Sequence, residues 1–295
     1  MKALVIGADG FLGSSLVHHL EQMGWEVFKT SRRITKQDDH YLPLDIENGV
    51  ADFKIPDQIE IAFLCASVTT TAQCERNKER SSIINVEETA HIVRRLVEYG
   101  AFVVFPSSSA VFDGTIPYPT VETPYSPTGT YGEQKVEAER KLLPYIPHVA
   151  IVRMSKIIGS NIPLLVKWEE QFFTHQPITC YEDFMLSPLS KSHIAKYLTD
   201  IATHRISGIT QISASCDISY RDLAYRLADV LQIDRNRIVA TQAAQRPEMR
   251  STFRAHASLD CSILKKKLSI LPPDPWEALE ITFQEIAKKH NSLQT

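Results

Sequence analysis

Ala3-Leu4-Val5-Ile6-Gly7-Ala8-Asp9-Gly10-Phe11-Leu12-Gly13 joins a short apolar run to a helical pattern through three glycines spaced by three. Ala3 to Ile6 predicts a buried strand, Phe11 to Met23 a helix, and Glu26 to Lys29 a second strand after the turn at Gly24, which completes one βαβ unit. Glycine lets the chain turn sharply at a strand end and lets backbone N–H groups approach a pyrophosphate, while the helix N-terminus adds a favourable partial charge. Gly7, Asp9, Gly10, Phe11, Leu12 and Gly13 are therefore candidates for a dinucleotide phosphate site. Their G-x-x-G-x-x-G spacing departs from the G-x-G-x-x-G of the commonest dehydrogenase fingerprint. The competing reading is a tight turn with no ligand.

Outward from this loop, short apolar runs alternate with helical patterns, the signature of an α/β fold with a parallel sheet, Rossmann-like and doubly wound. Further strands are expected at Leu42 to Leu44, Glu60 to Leu64, Phe102 to Phe105 and His148 to Arg153. Ser82 to Tyr99 carries apolar residues at three-to-four spacing and is a helix ended by Gly100. From about Asn161 the alternation loosens into an aromatic- and proline-rich segment and helices at Ile194 to His204, Tyr220 to Leu231 and Trp276 to Lys288. The expected organisation is a cofactor domain over residues 1–160 and a smaller substrate lobe over 161–295, with the chain free to cross between them.

After the second strand stand Ser31, Arg32 and Arg33, where NAD-binding proteins commonly place a carboxylate for the ribose hydroxyl. Two guanidiniums suit the 2′-phosphate of NADP, with NAD the alternative cofactor; two solvated arginines are the bland reading. Asp45 either accepts from the adenine amino group or caps the turn containing Glu47. Ile46, and Cys65, Ala66 and Ser67 after the Glu60 to Leu64 strand, are expected along the cofactor.

The 295 residues bury roughly three quarters of the unfolded chain's surface. With 32 Lys+Arg against 35 Asp+Glu the formal charge is −3, so no basic field draws nucleic acid or an anionic membrane. No apolar run approaches the roughly 18 residues of a membrane span, and the N-terminal run is too broken for a secretory signal. Five cysteines without a C-x-x-C pair suit reduced thiols, so the expected location is the cytoplasm. The ten histidines show no metal-ligand spacing, and no metal is expected.

Tyr131 and Lys135, four apart at the start of a predicted helix, share one face. An adjacent ammonium and a nicotinium charge would both lower the phenol pKa, and Lys135 could hold the nicotinamide ribose. Ser107-Ser108-Ser109 ends a strand about two dozen residues earlier, where a hydroxyl can polarise a carbonyl beside the tyrosine.

With these parts in place the sequence resembles the extended short-chain dehydrogenase/reductase superfamily, and Val111-Phe112-Asp113-Gly114 is most similar to its dTDP-4-dehydrorhamnose reductase group. The resemblance implies a catalytic set of Ser108, Tyr131 and Lys135. It also implies a helix asparagine at Asn85, a post-strand segment from Arg153 to Gly159, and substrate contacts from Ser108, Val111, Phe112 and Arg246, the last on a pyrophosphate. The implied activity is NADPH-dependent reduction of the keto group of a nucleotide-linked 4-keto sugar, in a homodimer whose interface nothing in the sequence selects. Ser108-Ser109-Ala110 departs from the Thr-Asp-Tyr usual before the V-F-D-G element, which leaves the sugar open, and lacks the Asp-Glu pair a dehydratase needs. Two alternatives remain: a nucleotide-sugar epimerase, and a cofactor-binding regulatory subunit without turnover.

Overall fold

The computed structural model describes residues 1–33, 38–249 and 252–291, so the last four residues of the expected 161–295 lobe lie outside the described residues. The first half runs β1 (Lys2–Ile6), α1 (Gly13–Gln22), β2 (Glu26–Ser31), β3 (Tyr41–Pro43), β4 (Ile61–Leu64), α2 (Thr71–Arg76), α3 (Lys78–Ser82), α4 (Glu88–Tyr99), β5 (Phe102–Ser108), α5 (Thr130–Leu142) and β6 (Val149–Met154). The second half adds β7 (Ile157–Ile158), α6 (Pro163–Phe173), β8 (Ile178–Tyr181), β9 (Met185–Leu186), β10 (Leu189–Ser190), α7 (Lys191–Thr203), β11 (Gly208–Ile212), β12 (Ile218–Ser219), α8 (Tyr220–Val230), β13 (Ile238–Thr241), α9 (Ser262–Leu268) and α10 (Pro275–Asn291).

Seven strands form one parallel sheet in the order β3-β2-β1-β4-β5-β6-β11. The alternation of side chains along β1 explains why helices must cover both faces. Ala3 and Val5 join Leu16 and Leu20 of α1 and Leu198 and Ile201 of α7, whereas Leu4 and Ile6 join Ile92 and Leu96 of α4 and Leu142 of α5. The helix expected over Ser82 to Tyr99 is continuous but opens with a π turn, Ile83–Glu87, before α4, and Gly100 ends it in the left-handed conformation at φ 99°.

Residues beyond 160 return to the sheet: α7 packs on α1, and β11, which periodicity alone left unmarked, pairs with β6. A separate core gathers Trp168 and Phe172 of α6, Leu223 and Leu227 of α8 and Phe283 and Ile286 of α10 in a smaller unit. The aromatic-rich stretch from Pro163, expected as a cover segment, holds the helix α6 as well as β8. Among the described residues no helix is long and apolar enough to cross a membrane.

A buried ion pair locks the centre. Arg153 of β6 and Glu139 of α5 are 1% and 0% exposed and meet at 2.8 Å. Glu139 also accepts from the hydroxyls of Ser107, on β5, and Tyr125. The Arg153 guanidinium lies 5.1 Å from the ring of Phe112 and 4.9 Å from that of Tyr125, and its Nη1 donates to Gln211 of β11 at 3.4 Å. Removing one member leaves the other charge buried and unpaired, which costs about 3–5 kcal/mol. R153M is therefore expected to lose about that much unfolding free energy in urea denaturation, and E139Q/R153M less than R153M alone. Loss below 1 kcal/mol in R153M would show that the pair is not the lock described.

Candidate active site

The loop between β1 and α1 has room for no other residue type at two points. At Gly7, φ is +84° and an added Cβ would lie 2.7 Å from the backbone nitrogen of Ala66; at Gly13 it would lie 2.2 Å from the carbonyl oxygen of Gly7. The turn thus brings β1, α1 and the end of β4 into backbone contact. The N-terminus of α1 has no side-chain cap and no acidic residue in its first turn, so its partial positive charge is left for an external anion. A dinucleotide phosphate fits this cradle.

The loop opens on a cavity of about 620 Å³ along the C-terminal ends of β1, β2 and β4. Of the expected cofactor contacts, Gly7, Asp9, Gly10, Ser31, Arg32, Arg33, Asp45, Ile46, Cys65, Ala66 and Ser67 line it. Phe11, Leu12 and Gly13 do not: Leu12 packs against the core, Gly13 is buried, and the Phe11 ring lies under the Lys191 ammonium at 5.0 Å. Ser31 donates to the Asp9 carboxylate and accepts from the backbone N–H of Arg33, which holds the arginine turn against the glycine loop. Both arginine side chains are exposed. Asp45 is the cap of the turn Ile46–Asn48, accepting from the Glu47 N–H at 3.2 Å, while still bordering the cavity.

Sequence reasoning missed Arg80. It reaches from α3 across the cavity mouth to Glu47 in a two-pronged ion pair, both bonds 2.6 Å, and its hydrogen bonds hold the Glu47 carboxyl below the usual range. A lone arginine 33 residues from its partner carries no local signal.

Asn85, in the π turn, is 1% exposed and serves as a positioning residue. It accepts from Ser67 Oγ and Val68 N–H, both at 2.8 Å, and donates to Val68 C=O and to Gln134 of α5. It thereby fixes the wall after β4 to the helix that carries Tyr131.

Ser108, at the end of β5, accepts from the Ala110 N–H at 3.1 Å and is hydrogen-bonded to Tyr131. Lys135 lies one helical turn on, 3% exposed, with Nζ donating to the Pro106 carbonyl at 3.1 Å, 4.6 Å from the Phe105 ring and 5.8 Å from the Tyr131 ring. The three expected residues are therefore brought together, with the ammonium below the phenol. The expectation that Lys135 lowers the phenol pKa is not met: burial pushes Tyr131 up to about 12 against the Ser108 hydrogen bond. Burial likewise pushes Lys135 down to about 8 against the pull of Glu139, Cys65 and Cys74. Neither Tyr131 nor Lys135 lines the 620 Å³ cavity; Tyr131 borders a second one of about 220 Å³ against the smaller unit.

That second cavity also departs from the expected substrate contacts. Val111 and Phe112 are 0% and 4% exposed and pack with Val136 and Leu259, so they are core residues. Arg246 lines neither cavity: its side chain is 44% exposed and pairs with Glu248 at 3.7 Å. The arginine that does line the second cavity is Arg254, eight residues on, together with Lys156 from the segment after β6. Both were in view as sequence; only the path of the chain chooses between arginines in one segment.

The depressed Lys135 has a stability consequence. Below about pH 8 the lysine is charged in folded and unfolded chains alike, and burying the charge opposes folding. Between about 8 and the ordinary 10.5 the folded chain has released a proton that the unfolded chain keeps, so stability rises with pH. Wild-type stability relative to K135M is expected to grow by about 2–3 kcal/mol from about pH 7 to about pH 10 in urea titrations. A difference that stays flat with pH would refute the buried-ammonium description.

Comparison with known proteins follows the same outline. The structure superimposes on the dTDP-4-dehydrorhamnose reductase ortholog of Clostridium acetobutylicum with a TM-score of 0.84 at 22% identity, covering 97% of this chain and 99% of that one. With the dTDP-4-dehydrorhamnose reductase of Bacillus anthracis in complex with NADP the TM-score is 0.81 at 18% identity, covering 96% and 99%. In sequence the chain is similar to the methionine adenosyltransferase 2 subunit beta of Bos taurus, 22% identical over 279 residues, 90% of this chain and 81% of that one. A family model, the RmlD substrate binding domain, matches residues 1–288, and it is to this family that the chain belongs.

Proposed function

We propose that the protein is an NADPH-dependent reductase of the keto group of a nucleotide-linked sugar. The observation that carries this reading is Tyr131: its phenol is bonded to Ser108 and borders the second cavity, while Cys65, Ala66 and Ser67, after the neighbouring strand β4, line the first. On this reading the cofactor occupies the first cavity and the substrate the second, and they meet at Tyr131. NADP is supported by Arg32 and Arg33 at the cavity edge, by the uncapped N-terminus of α1, and by the NADP complex of the B. anthracis reductase.

NADPH supplies a hydride when bound. Ser108 hydrogen-bonds the carbonyl oxygen as negative charge develops on it, and Tyr131 delivers the proton that completes the alcohol. A phenol held near 12 is fully protonated at neutral pH, the form a reduction requires. Lys135 holds the ribose and the floor of the phenol pocket. Among the expected substrate contacts, Ser108 keeps this role, and Arg254 takes the pyrophosphate role expected of Arg246.

A second reading, a cofactor-binding regulatory subunit, is favoured by the similarity to the methionine adenosyltransferase subunit. Turnover separates the two. Wild-type protein is expected to oxidise NADPH with a nucleotide-linked 4-keto-6-deoxyhexose, and Y131F to be about 10²–10⁴-fold slower with NADPH affinity unchanged. Absence of turnover in the wild type together with intact NADPH binding would favour the regulatory subunit. In cofactor-fluorescence titrations R32A/R33A is expected to weaken NADPH about 10- to 100-fold and leave NADH unaffected; equal weakening of both would remove the phosphate assignment.

A further inference from the structure

The first cavity holds an arginine that the proposed cofactor contacts do not use. Among the described residues it is lined by three carboxylates, Asp9, Asp45 and Glu47, and three guanidiniums, Arg32, Arg33 and Arg80. Asp9 accepts from the Ser31 hydroxyl, and Asp45 accepts from the Glu47 N–H at 3.2 Å and the Asn48 side-chain amide at 3.3 Å. Glu47 is held by Arg80, whose Nε and Nη2 each donate to one carboxylate oxygen at 2.6 Å. Asn77 caps α3 by accepting from the Arg80 N–H at 3.1 Å, which fixes the point from which that side chain reaches. Arg32 and Arg33 enter no side-chain hydrogen bond or ion pair among the described residues, so both are left for an external anion.

The surroundings of Glu47 say what the bridge does. Its carboxyl is held low first by the hydrogen bonds of Arg80 and, more weakly, by the charge of Arg32, so one carboxylate stands between the two arginines in the electrostatics of the cavity edge. Without Arg80, Arg32 is the remaining guanidinium whose charge acts on Glu47. A released carboxylate would compete with a phosphate for that guanidinium and would repel the phosphate's own charge. Fold stability does not account for the bridge, because its side chains are 51% and 32% exposed, and an ion pair so open to water contributes little to folding. Its two-pronged geometry does fix where the carboxylate points, since the planar guanidinium fork donates to both oxygens at once.

We propose that Arg80 is a specificity residue for the phosphate-bearing cofactor: by holding Glu47 it keeps that carboxylate off Arg32, and so sets the preference for NADPH over NADH without touching the 2′-phosphate itself. This rests on the reading of Arg32 and Arg33 as the phosphate contacts. The test is cofactor-fluorescence titration with NADPH and with NADH of wild type, R80M, E47Q and E47Q/R80M, with thermal melting checked in each. R80M is expected to weaken NADPH about 10-fold, to leave NADH unchanged and to shift melting little. E47Q is expected to bind NADPH at least as tightly as wild type, and E47Q/R80M to recover wild-type NADPH affinity to within about 3-fold, because the carboxylate that R80M releases is no longer there. Unchanged NADPH affinity in R80M overturns the assignment and leaves the NADPH reading standing. A loss in R80M that E47Q does not rescue also overturns it, because Arg80 then contacts the cofactor itself. Equal weakening of NADPH and NADH does the same, since the bridge then acts on the part that the two cofactors share. A wild type that binds NADH as tightly as NADPH overturns the phosphate reading and this assignment with it.

Discussion

Arg153 and Glu139 meet in the centre of the protein with almost no access to water, and four separate stretches of chain depend on that meeting. The carboxylate fixes Ser107, which sets the end of β5, where Ser108 stands. Its helix, α5, carries Tyr131 and Lys135. The guanidinium is enclosed by the rings of Phe112 and Tyr125 and reaches Gln211 on the edge strand β11. A buried ion pair gains little stability over a well-packed apolar pair, but losing either partner leaves an uncompensated buried charge, so both must stay in place. Here that arrangement aligns a strand end with a helix start, which puts the serine and tyrosine within hydrogen-bonding distance.

Burial near this pair also sets the protonation states of the site. The same exclusion of water raises the Tyr131 phenol and lowers the Lys135 ammonium, because both charged forms are penalised. A protonated phenol is poised to give a proton, which suits the proposed direction of reaction. The larger cavity is built differently: its lining is mixed polar and apolar, it is edged by exposed arginines, and it ends at a helix terminus without a cap. One cavity has a volume of about 620 Å³ and the other of about 220 Å³.

Much of the fold was legible because its signals are local. Alternating apolar runs, the glycine turn and the three-to-four spacing ended by Gly100 each depend on residues within about twenty positions of one another. The grouping of Ser108, Tyr131 and Lys135 was legible for a related reason: strand end and helix start have their own signatures, and i and i+4 share a face. The missed features are non-local. β11 is a five-residue edge strand whose pattern distinguishes it only once β6 is beside it. Val111 and Phe112 read as substrate contacts by their place after the serines, yet they turn inward to cover Arg153. Arg246 and Arg254 lie in the same segment, and neither has a neighbour that marks which one faces the cavity.

By itself the sequence determined the class of fold, the position of the phosphate cradle and the identities of the serine, tyrosine and lysine, because backbone sterics and side-chain periodicity act over short separations. Only the tertiary structure decided which side chains share a cavity, which charges meet and how far burial moves a pKa. The Arg80 to Glu47 bridge, the choice of Arg254 and the Lys156 to Tyr220 hydrogen bond all depend on distances between elements far apart in the chain. Those distances come from packing two helical layers and a second core around one twisted sheet, a global compromise that no short segment encodes.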